Sequence, residues 1–310
     1  MNRKGFASNR EGLTKRFHAR RRFFIGLTGV WIFFFLPVLS VQAFDFSTWD
    51  ALVKKYVVTT VIDGVELNAV AYKKLKSDPA FAGMVKRLET ASLAELKTRE
   101  EKLSFWINVY NILAVKMIVD HYPIKSIKDV GSIFNVGSIS EWDGVFDWDR
   151  FFDGDHLLDW DHYSNWRSFF KSVWTRPAGK VAGKKRTLND IEHEILRKMG
   201  EPRIHMAIVC ASVSCPDLRK EAYSPGRLDH QLDDQVKQFL ANPGKGMRID
   251  LKNNRVYLSS IFDWFKEDFE SQSGVIAFIS RYVSPAGKNF LENGGFKVTY
   301  FDYNWKLNEI

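Results

Sequence analysis

The feature that most constrains this chain is residues 98–121, a stretch that is apolar on almost every side of a helix. It opens with Thr98 and, three residues later, Glu101, which is the capping-box pattern of a helix N-terminus. It ends before Tyr122-Pro123, because the residue before a proline avoids helical geometry. A helix that is apolar all round has to be buried. The pattern therefore predicts a buried helix at the centre of the fold.

Polar side chains interrupt this helix on one side. Ser104, Asn108 and Asn111 lie close together on a helical wheel, among apolar neighbours. Buried amides need hydrogen-bond partners, so one interpretation is that both asparagines tie neighbouring loops to the helix. The alternative is that they form the polar wall of a site, and Asn108 is a candidate site residue on that basis.

The N-terminal segment, residues 1–43, has the organisation of a secretory signal peptide. Eight basic residues and one acidic residue surround or precede an apolar run over 23–39, and Val41-Gln42-Ala43 is a small-x-small cleavage pattern. Arg20-Arg21-Arg22 also resembles, in part, a twin-arginine export signal. We expect cleavage after Ala43 and a periplasmic or otherwise exported protein, with a retained membrane anchor as the alternative.

Export changes the meaning of the charge. The whole chain carries 45 basic and 37 acidic residues, a formal net charge of +8. Without residues 1–43 there remain 37 basic and 36 acidic residues, a net charge of +1. This balance argues against nucleic-acid binding. Contact with a membrane is expected only through the signal segment, if that segment is not cleaved, and the partner is an unknown small molecule or protein.

Both cysteines lie in one short region, residues 203–216. The apolar, β-branched run Ile204–Val209 predicts a buried strand. The small residues and the proline that follow predict a loop at the end of that strand, where sheet proteins commonly place chemistry. A candidate site is therefore expected at this loop, but the pattern does not specify a reaction.

Cys210 and Cys215 allow two interpretations. In an exported chain, a structural or redox-labile disulfide between them is the first. A nucleophilic thiol is the second, although no base is evident in the sequence. The five-residue spacing does not match a zinc site, and we predict neither a metal nor a cofactor.

Two further titratable residues are candidates. Glu192 falls on the apolar face of a short predicted helix over 191–199, capped by Thr187. A carboxylate there needs a partner such as Arg203, or it is a working acid or base with a raised pKa. His205 lies inside the predicted strand, where an odd offset would point it away from Cys210. It is either a satisfied core histidine or part of a site.

Residues 131–165 differ in composition from the rest of the chain. Alternating aspartates occur among aromatic residues, but without the offsets of an EF-hand. The pattern suits a solvated face better than a metal site. The tryptophans of this region make a lid or partner-binding loop the favoured functional interpretation; they are Trp142, Trp148, Trp160 and Trp166.

Several ordered motifs together resemble the domain-of-unknown-function 547 family. They are Phe105–Asn111, Tyr122–Ile127, Leu188–His193, Arg203–Leu218 and Tyr303–Asn308. The resemblance spans about residues 95–308 and implies a single α+β domain of exported bacterial proteins. It implies no settled activity, cofactor or catalytic assignment. The acidic aromatic insertion over 135–165 is longer than the usual linker of the family.

The sequence thus predicts a signal peptide over 1–43 and a single α+β domain over 44–310, with a mixed sheet packed on the buried central helix. The first functional hypothesis is a thiol-dependent hydrolase or transferase. Its candidate site residues are Cys210, Cys215, His205, Glu192 and Asn108. The second is a non-catalytic binding module with a Cys210–Cys215 disulfide and a tryptophan-rich partner-binding loop.

Overall fold

A computed structural model describes residues 44–131 and 173–310. Within them the α-helices include α1 (Ser47–Tyr56), α2 (Tyr72–Lys76), α3 (Pro79–Glu89), α4 (Arg99–His121), α5 (Leu188–Ile191) and α6 (Ile204–Ala207). The C-terminal part adds α7 (Leu228–Ala241), α8 (Ile261–Trp264), α9 (Gly274–Ser280) and α10 (Pro285–Asn293). Shorter 3₁₀ segments cover Leu93–Glu95, Ile127–Gly131, Arg197–Met199, Pro225–Arg227 and Lys266–Gln272. The predicted signal peptide and the acidic aromatic insertion, with its four tryptophans, lie outside the described residues.

The strands form three small sheets. They are β1 (Val57–Ile62), β2 (Val65–Val70), β3 (Pro177–Val181), β4 (Lys184–Thr187), β5 (Met247–Asp250), β6 (Arg255–Leu258) and β7 (Lys297–Tyr300). Strands β1 and β2 pair antiparallel, as do β3 and β4. In the third sheet β6 pairs antiparallel with β5 and parallel with β7. The predicted α+β class and the predicted mixed sheet are therefore confirmed.

Helix α4 begins and ends where its sequence signals place it. Thr98 accepts a hydrogen bond from the Glu101 amide, and the Glu101 side chain accepts one from the Thr98 amide, which completes the capping box. This helix is long and apolar enough to cross a membrane, but 89% of its most apolar stretch is buried inside the protein. Such burial is what a core helix of a folded domain requires.

A glycine in the β3–β4 hairpin lets that hairpin approach α4 closely. A Cβ atom added to Gly179 would lie 2.6 Å from Cδ2 of Leu113, which is well inside van der Waals contact. Any larger residue at this position would push the hairpin away from the helix. The hairpin, which holds Ala178 and Val181 in the same hydrophobic cluster as α4, is thus the sheet that covers part of the helix.

The packing of the mixed sheet differs from the prediction. Val256 and Leu258 of β6 belong to a second hydrophobic cluster, with Phe239 of α7 and Phe262 of α8. The buried residues of α4 belong to the first cluster. The expected packing of the mixed sheet on α4 is therefore wrong, because the amphipathic helix α7 supplies the apolar face that this sheet covers.

Short turns join the strands of two hairpins. Asp63 and Gly64, with φ angles of 51° and 77°, join β1 to β2 in the conformation that suits a two-residue hairpin turn. A second hairpin joins β5 to β6 across a turn that includes Asn253-Asn254. Short-range chemistry alone is sufficient for these elements, since the turn residues and the strand pattern are adjacent in sequence.

Candidate functional site

The segment before the cysteine loop is a short helix, and the predicted strand over 204–209 is wrong. Residues Ile204–Ala207 form α6, in which the Ile208 amide donates to the Ile204 carbonyl (2.9 Å). The backbone becomes extended only at Ile208. A short apolar run fits a buried helical turn as well as a strand, so periodicity could not separate the two.

Asn111 of α4 holds the chain just before the cysteine loop. Its Nδ2 atom donates to the Ala207 carbonyl (2.9 Å), and its Oδ1 atom accepts from the Val209 amide (3.0 Å). Asn108, one turn earlier, makes the same pair of bonds to the carbonyl and amide of Tyr223. Both asparagines therefore tie neighbouring chain segments to the helix, as the first interpretation of them expects.

The loop itself is clamped by the C-terminal segment. The Val213 amide donates to the Lys306 carbonyl (2.9 Å), and the Asn308 amide donates to the Ala211 carbonyl (3.2 Å). Ala211 has a φ angle of 58°, a left-handed conformation that is costly for a residue with a Cβ atom. Such a conformation persists only where the surroundings over-determine it, and it occurs preferentially at functional sites.

A buried lysine fixes the end of the loop. Lys245 Nζ donates to the Cys215 carbonyl (3.0 Å) and to Oδ1 of Asp217 (2.7 Å). The Lys245 side chain is only 1% exposed, so the Asp217 carboxylate is the charge that compensates it. Together with Asn111 and the C-terminal segment, this ion pair leaves the cysteine loop little freedom.

Both cysteines are free thiols, so the structure gives no support to the predicted disulfide. They are nevertheless adjacent, because the Cys210 amide donates to Cys215 Sγ (2.8 Å). A turn closed by the Cys215 amide and the Ser212 carbonyl (3.1 Å) folds the second thiol back towards the first. Cys215 is buried, with 3% exposure, whereas Cys210 is only partly buried.

Hydrogen bonds converge on the sulfur of Cys210. Its Sγ atom lies 3.2 Å from Ser212 Oγ and 3.1 Å from the Tyr303 hydroxyl. Burial raises the pKa of the Cys210 thiol, but hydrogen bonds from the Cys215 thiol, from Ser212 and from Tyr303 outweigh it, and the net pKa lies below the ordinary value. Burial and the neighbouring Cys210 raise the pKa of Cys215. The pair thus contains one activated thiol and one protonated thiol.

The hydroxyl of Tyr303 gives a direct test of this activation. Tyr303→Phe removes one donor from the thiolate, and a hydrogen bond to a charged group contributes about 1.5 kcal/mol. We expect the pKa of Cys210 to rise and its alkylation by iodoacetamide at pH 7 to slow about ten-fold. Tyr300→Phe, on a partly exposed tyrosine of β7, is the matched control. An unchanged alkylation rate in the Tyr303 variant would show that the hydroxyl does not stabilise the thiolate.

Aromatic rings and a lysine lie beside the thiol. The Tyr303 and Trp305 rings are 4.4 Å apart, and Trp264 stacks on Trp305 at 5.9 Å. Lys128 Nζ lies 4.2 Å from the centroid of the Trp305 ring. Burial lowers the pKa of Lys128 to about 8, against the opposing influence of a charge on Cys210. Lys128 is thus the amine near Cys210 whose protonation changes close to neutral pH.

Glu192 has a different partner from the expected one. It lies in a π-helical turn (Glu192–Leu196) and accepts a hydrogen bond from the Tyr110 hydroxyl (3.0 Å), not from Arg203. Arg203 instead pairs with Glu201. Burial raises the pKa of Glu192 to about 7. Burial and the charges of Glu192 and Cys210 raise the pKa of Tyr110, which connects this carboxyl with the neighbourhood of the thiol.

His205 belongs to a separate polar cluster. Its Nε2 atom is 2.7 Å from Oδ2 of Asp268, and its ring stacks on Phe265 at 4.1 Å. Arg197 donates two hydrogen bonds to the same Asp268 carboxylate (2.6 and 2.8 Å). Burial lowers the pKa of His205, despite the opposing charge of Asp268. These contacts agree with the interpretation of His205 as a satisfied core histidine.

The structure therefore brings together only part of the predicted site. Cys210 and Cys215 are adjacent, and Glu192 approaches them through Tyr110, whereas His205 and Asn108 bind other partners. The residues that sequence reasoning did not select as site residues are Ser212, Tyr303, Trp305 and Lys128. The small residues of the cysteine loop and the aromatic motif over 303–308 were the signals for three of them.

Among the described residues, the thiols belong neither to a metal-binding cluster nor to the surface cleft beside Phe44. No group of three or more His, Cys, Asp or Glu side chains in residues 44–131 and 173–310 is arranged to hold a metal ion. A surface cleft of about 510 Å³ is lined by residues that include Phe44, Phe105 and Tyr223. This cleft contains neither cysteine, so the candidate site is defined by its chemistry and not by the volume of a cavity.

Fold and site together define an α+β protein in which a buried helix and the C-terminal segment clamp a loop with two free thiols. The family described as "Protein of unknown function, DUF547" matches residues 93–240, slightly under half of the chain. The match supports a domain of this family there and includes α4, Glu192 and both cysteines, whereas the motif over 303–308 lies beyond it. No curated protein and no solved structure gives a significant match.

Proposed function

We propose that this chain is an exported thiol-dependent hydrolase or transferase in which Cys210 is the nucleophile. The observation that carries the proposal is the convergence of Ser212, Tyr303 and Cys215 on the sulfur of Cys210. A thiolate, and not a thiol, is the nucleophilic form of cysteine. The same chemistry requires neither a metal nor a cofactor. The proposed location is the periplasm or another exported compartment, as the N-terminal segment predicts.

The nucleophile needs no adjacent histidine for the first step. Hydrogen bonds that lower the pKa of Cys210 favour its thiolate and would replace the general base that most cysteine enzymes use. His205 cannot be that general base, because it is bonded to Asp268 and no contact joins His205 to Cys210 in the described residues. Cys210 is also the less buried of the two thiols, which suits it to meet a substrate.

The proposed reaction is acyl transfer. The Cys210 sulfur attacks the carbonyl carbon of an ester, thioester or amide, and a bond forms between sulfur and carbon. The leaving group departs with a proton, and water or another nucleophile then releases the acyl group from the enzyme. Ser212 and Tyr303, which donate to the thiolate before the attack, are placed to donate to the negative charge that moves to the carbonyl oxygen.

Lys128 is the proposed acid and base. With a pKa of about 8, its side chain exchanges a proton readily at the pH where the enzyme would act. It would protonate the leaving group in the first step and accept a proton from water in the second. Glu192 is proposed to act through the Tyr110 hydroxyl, so it is a positioning residue, and Asn108 has a supporting role at Tyr223.

The aromatic rings of Tyr303, Trp305 and Trp264 favour a substrate with an apolar acyl group. They lie on the side of the loop from which the Tyr303 hydroxyl reaches the thiol. Flat aromatic surfaces bind apolar groups at a small entropic cost. The substrate is thus proposed to be a small molecule or a protein that carries such a group.

Acylation by an activated ester tests the proposal. The protein is mixed with p-nitrophenyl acetate, and peptides are mapped by mass spectrometry after rapid quenching. We expect an acetyl group on the Cys210 peptide and a burst of nitrophenolate at pH 7. Cys210→Ala should lower the burst rate by about a thousand-fold or more. His230→Ala changes an exposed histidine of α7 and is the matched control.

The alternative is a binding module without catalysis. It depended on a structural disulfide, which the structure does not support, and on tryptophans outside the described residues. Absence of an acetyl group on Cys210, together with alkylation no faster than that of an ordinary thiol, would reject the enzyme and favour this module.

A further inference from the structure

We infer that Cys210 and Cys215 are an attacking and a resolving thiol, which give the chain a second activity, the reduction of accessible disulfides. The inference shares the nucleophile Cys210 with the proposed function but does not depend on acyl transfer. Three observations carry it: the proximity of the two thiols, their unequal exposure and the rigid clamping of the loop between them.

Proximity is the first requirement for a resolving thiol. Cys215 Sγ accepts a hydrogen bond from the Cys210 amide at 2.8 Å, so the second sulfur already lies against the residue that bears the first. The turn between Ser212 and Cys215 holds it there. A mixed disulfide formed on Cys210 would therefore have a thiol beside it without a large rearrangement of the chain.

Unequal exposure sets the order of the two steps. Cys210 is partly buried and is the more exposed of the two residues, whereas Cys215 is only 3% exposed. An incoming disulfide thus meets Cys210 first. The lowered pKa of Cys210 and the raised pKa of Cys215 agree with this order, because they favour ionisation of the attacking sulfur and retention of the proton on the resolving sulfur.

The chemistry balances with a disulfide as the oxidant. The Cys210 thiolate attacks one sulfur of the substrate disulfide, a mixed disulfide forms and the first substrate thiolate leaves. That thiolate takes the proton of Cys215, and the Cys215 sulfur then attacks the Cys210 sulfur. The bond between Cys210 and the substrate breaks, and a second substrate thiolate leaves. The two protein thiols are oxidised to one intramolecular disulfide, and the substrate disulfide is reduced to two thiols.

Clamping explains why the loop suits this exchange. Asn111 fixes the chain before Cys210, and Lys245 fixes the carbonyl of Cys215. Holding two reacting groups in contact replaces an encounter between molecules with a step inside one molecule. The second step should therefore be faster than the attack of a second protein molecule on the mixed disulfide.

Stoichiometry with dithiobis(nitrobenzoate) tests the inference on the protein as it is exported, reduced and then freed of reductant. The wild-type protein should release two thionitrobenzoate ions for each chain and retain none. Cys215→Ser should release one ion and keep the other as a stable adduct on Cys210. Cys210→Ser should react at least ten-fold more slowly. Cys215→Ala, checked by circular dichroism, repeats the test if the serine variant does not fold.

The outcomes separate the two proposals. If the wild-type protein keeps a thionitrobenzoate adduct on Cys210, the resolving role of Cys215 is wrong, and acylation of Cys210 by p-nitrophenyl acetate decides the proposed function independently. If two ions are released and a Cys210–Cys215 peptide appears, while no acetyl group forms on Cys210, the disulfide activity stands and acyl transfer is wrong. Slow reaction of Cys210 with both reagents would overturn both.

Discussion

Replacing Asp217 with alanine is expected to lower the free energy of unfolding by about 3–5 kcal/mol, because it leaves a buried ammonium group without its counter-charge. Lys245 is 1% exposed and lies 2.7 Å from Asp217. Its other hydrogen bond goes to the Cys215 carbonyl (3.0 Å). Asp217 also accepts a hydrogen bond from the Asn68 amide (2.8 Å), which the same change removes.

Urea denaturation followed by circular dichroism measures this effect. Glu194→Ala is the matched control, since Glu194 forms an ion pair with Lys198 and both side chains are more than half exposed. Exposed pairs of this kind contribute less than about 1 kcal/mol. Equal losses in the two variants would show that the Lys245 ammonium does not depend on Asp217. Because Lys245 holds the Cys215 carbonyl, the Asp217 variant should also make Cys215 react faster with alkylating reagents.

Replacing Glu192 with glutamine is expected to stabilise the protein at pH 8 by about 3 kcal/mol and to have little effect at pH 4. The pKa of Glu192 is raised from 4.5 to about 7, and burial is the main cause. Glutamine has nearly the same shape as glutamate and can still accept the Tyr110 hydrogen bond. It therefore removes the charge and keeps the contact.

The direction of the pH dependence follows from the raised pKa. Below pH 4.5 the carboxyl is protonated in both the folded and the unfolded chain, so it makes no difference to stability. Between pH 4.5 and 7 the unfolded chain ionises first, and the wild-type protein progressively loses stability relative to the variant. Above pH 7 the difference is constant.

Unfolding by urea at pH 4, 6 and 8 measures this difference between the two proteins. Glu194→Gln, in the same turn but exposed, is the control and should show no such trend. A pH-independent difference for Glu192→Gln would mean that the folded protein keeps this carboxylate ionised.

The sequence is sufficient for features that depend on neighbouring residues. The capping box at Thr98 and the all-round apolar pattern of α4 predict a buried helix with the observed ends. The Asp63-Gly64 pair also fits the tight turn that joins β1 to β2, because both residues tolerate positive φ angles. The need of a buried amide for partners likewise predicts that Asn111 holds another segment of the chain.

Predictions failed where two conformations satisfied the same local pattern. Ile204–Ala207 is helical although its composition suits a strand, since burial on all sides is compatible with either. Glu192 needed a partner, but the wheel could not distinguish Arg203 from the hydroxyl of Tyr110. The charge of the neighbouring side chain affects the pKa of Glu192. Beside a neutral tyrosine hydroxyl the carboxyl keeps a raised pKa, whereas the positive charge of an arginine would lower it.

By itself, the sequence determined that two thiols lie in one loop beside a buried helix. Only the tertiary structure decided that Cys210 is the activated thiol, because the groups that act on its sulfur come from different parts of the chain. Tyr303 reaches it across 93 residues of sequence, and Lys128 lies far away along the chain in the other direction. Hydrogen bonds and charges act over a few ångströms of space, so their effect on the sulfur depends on how the chain folds.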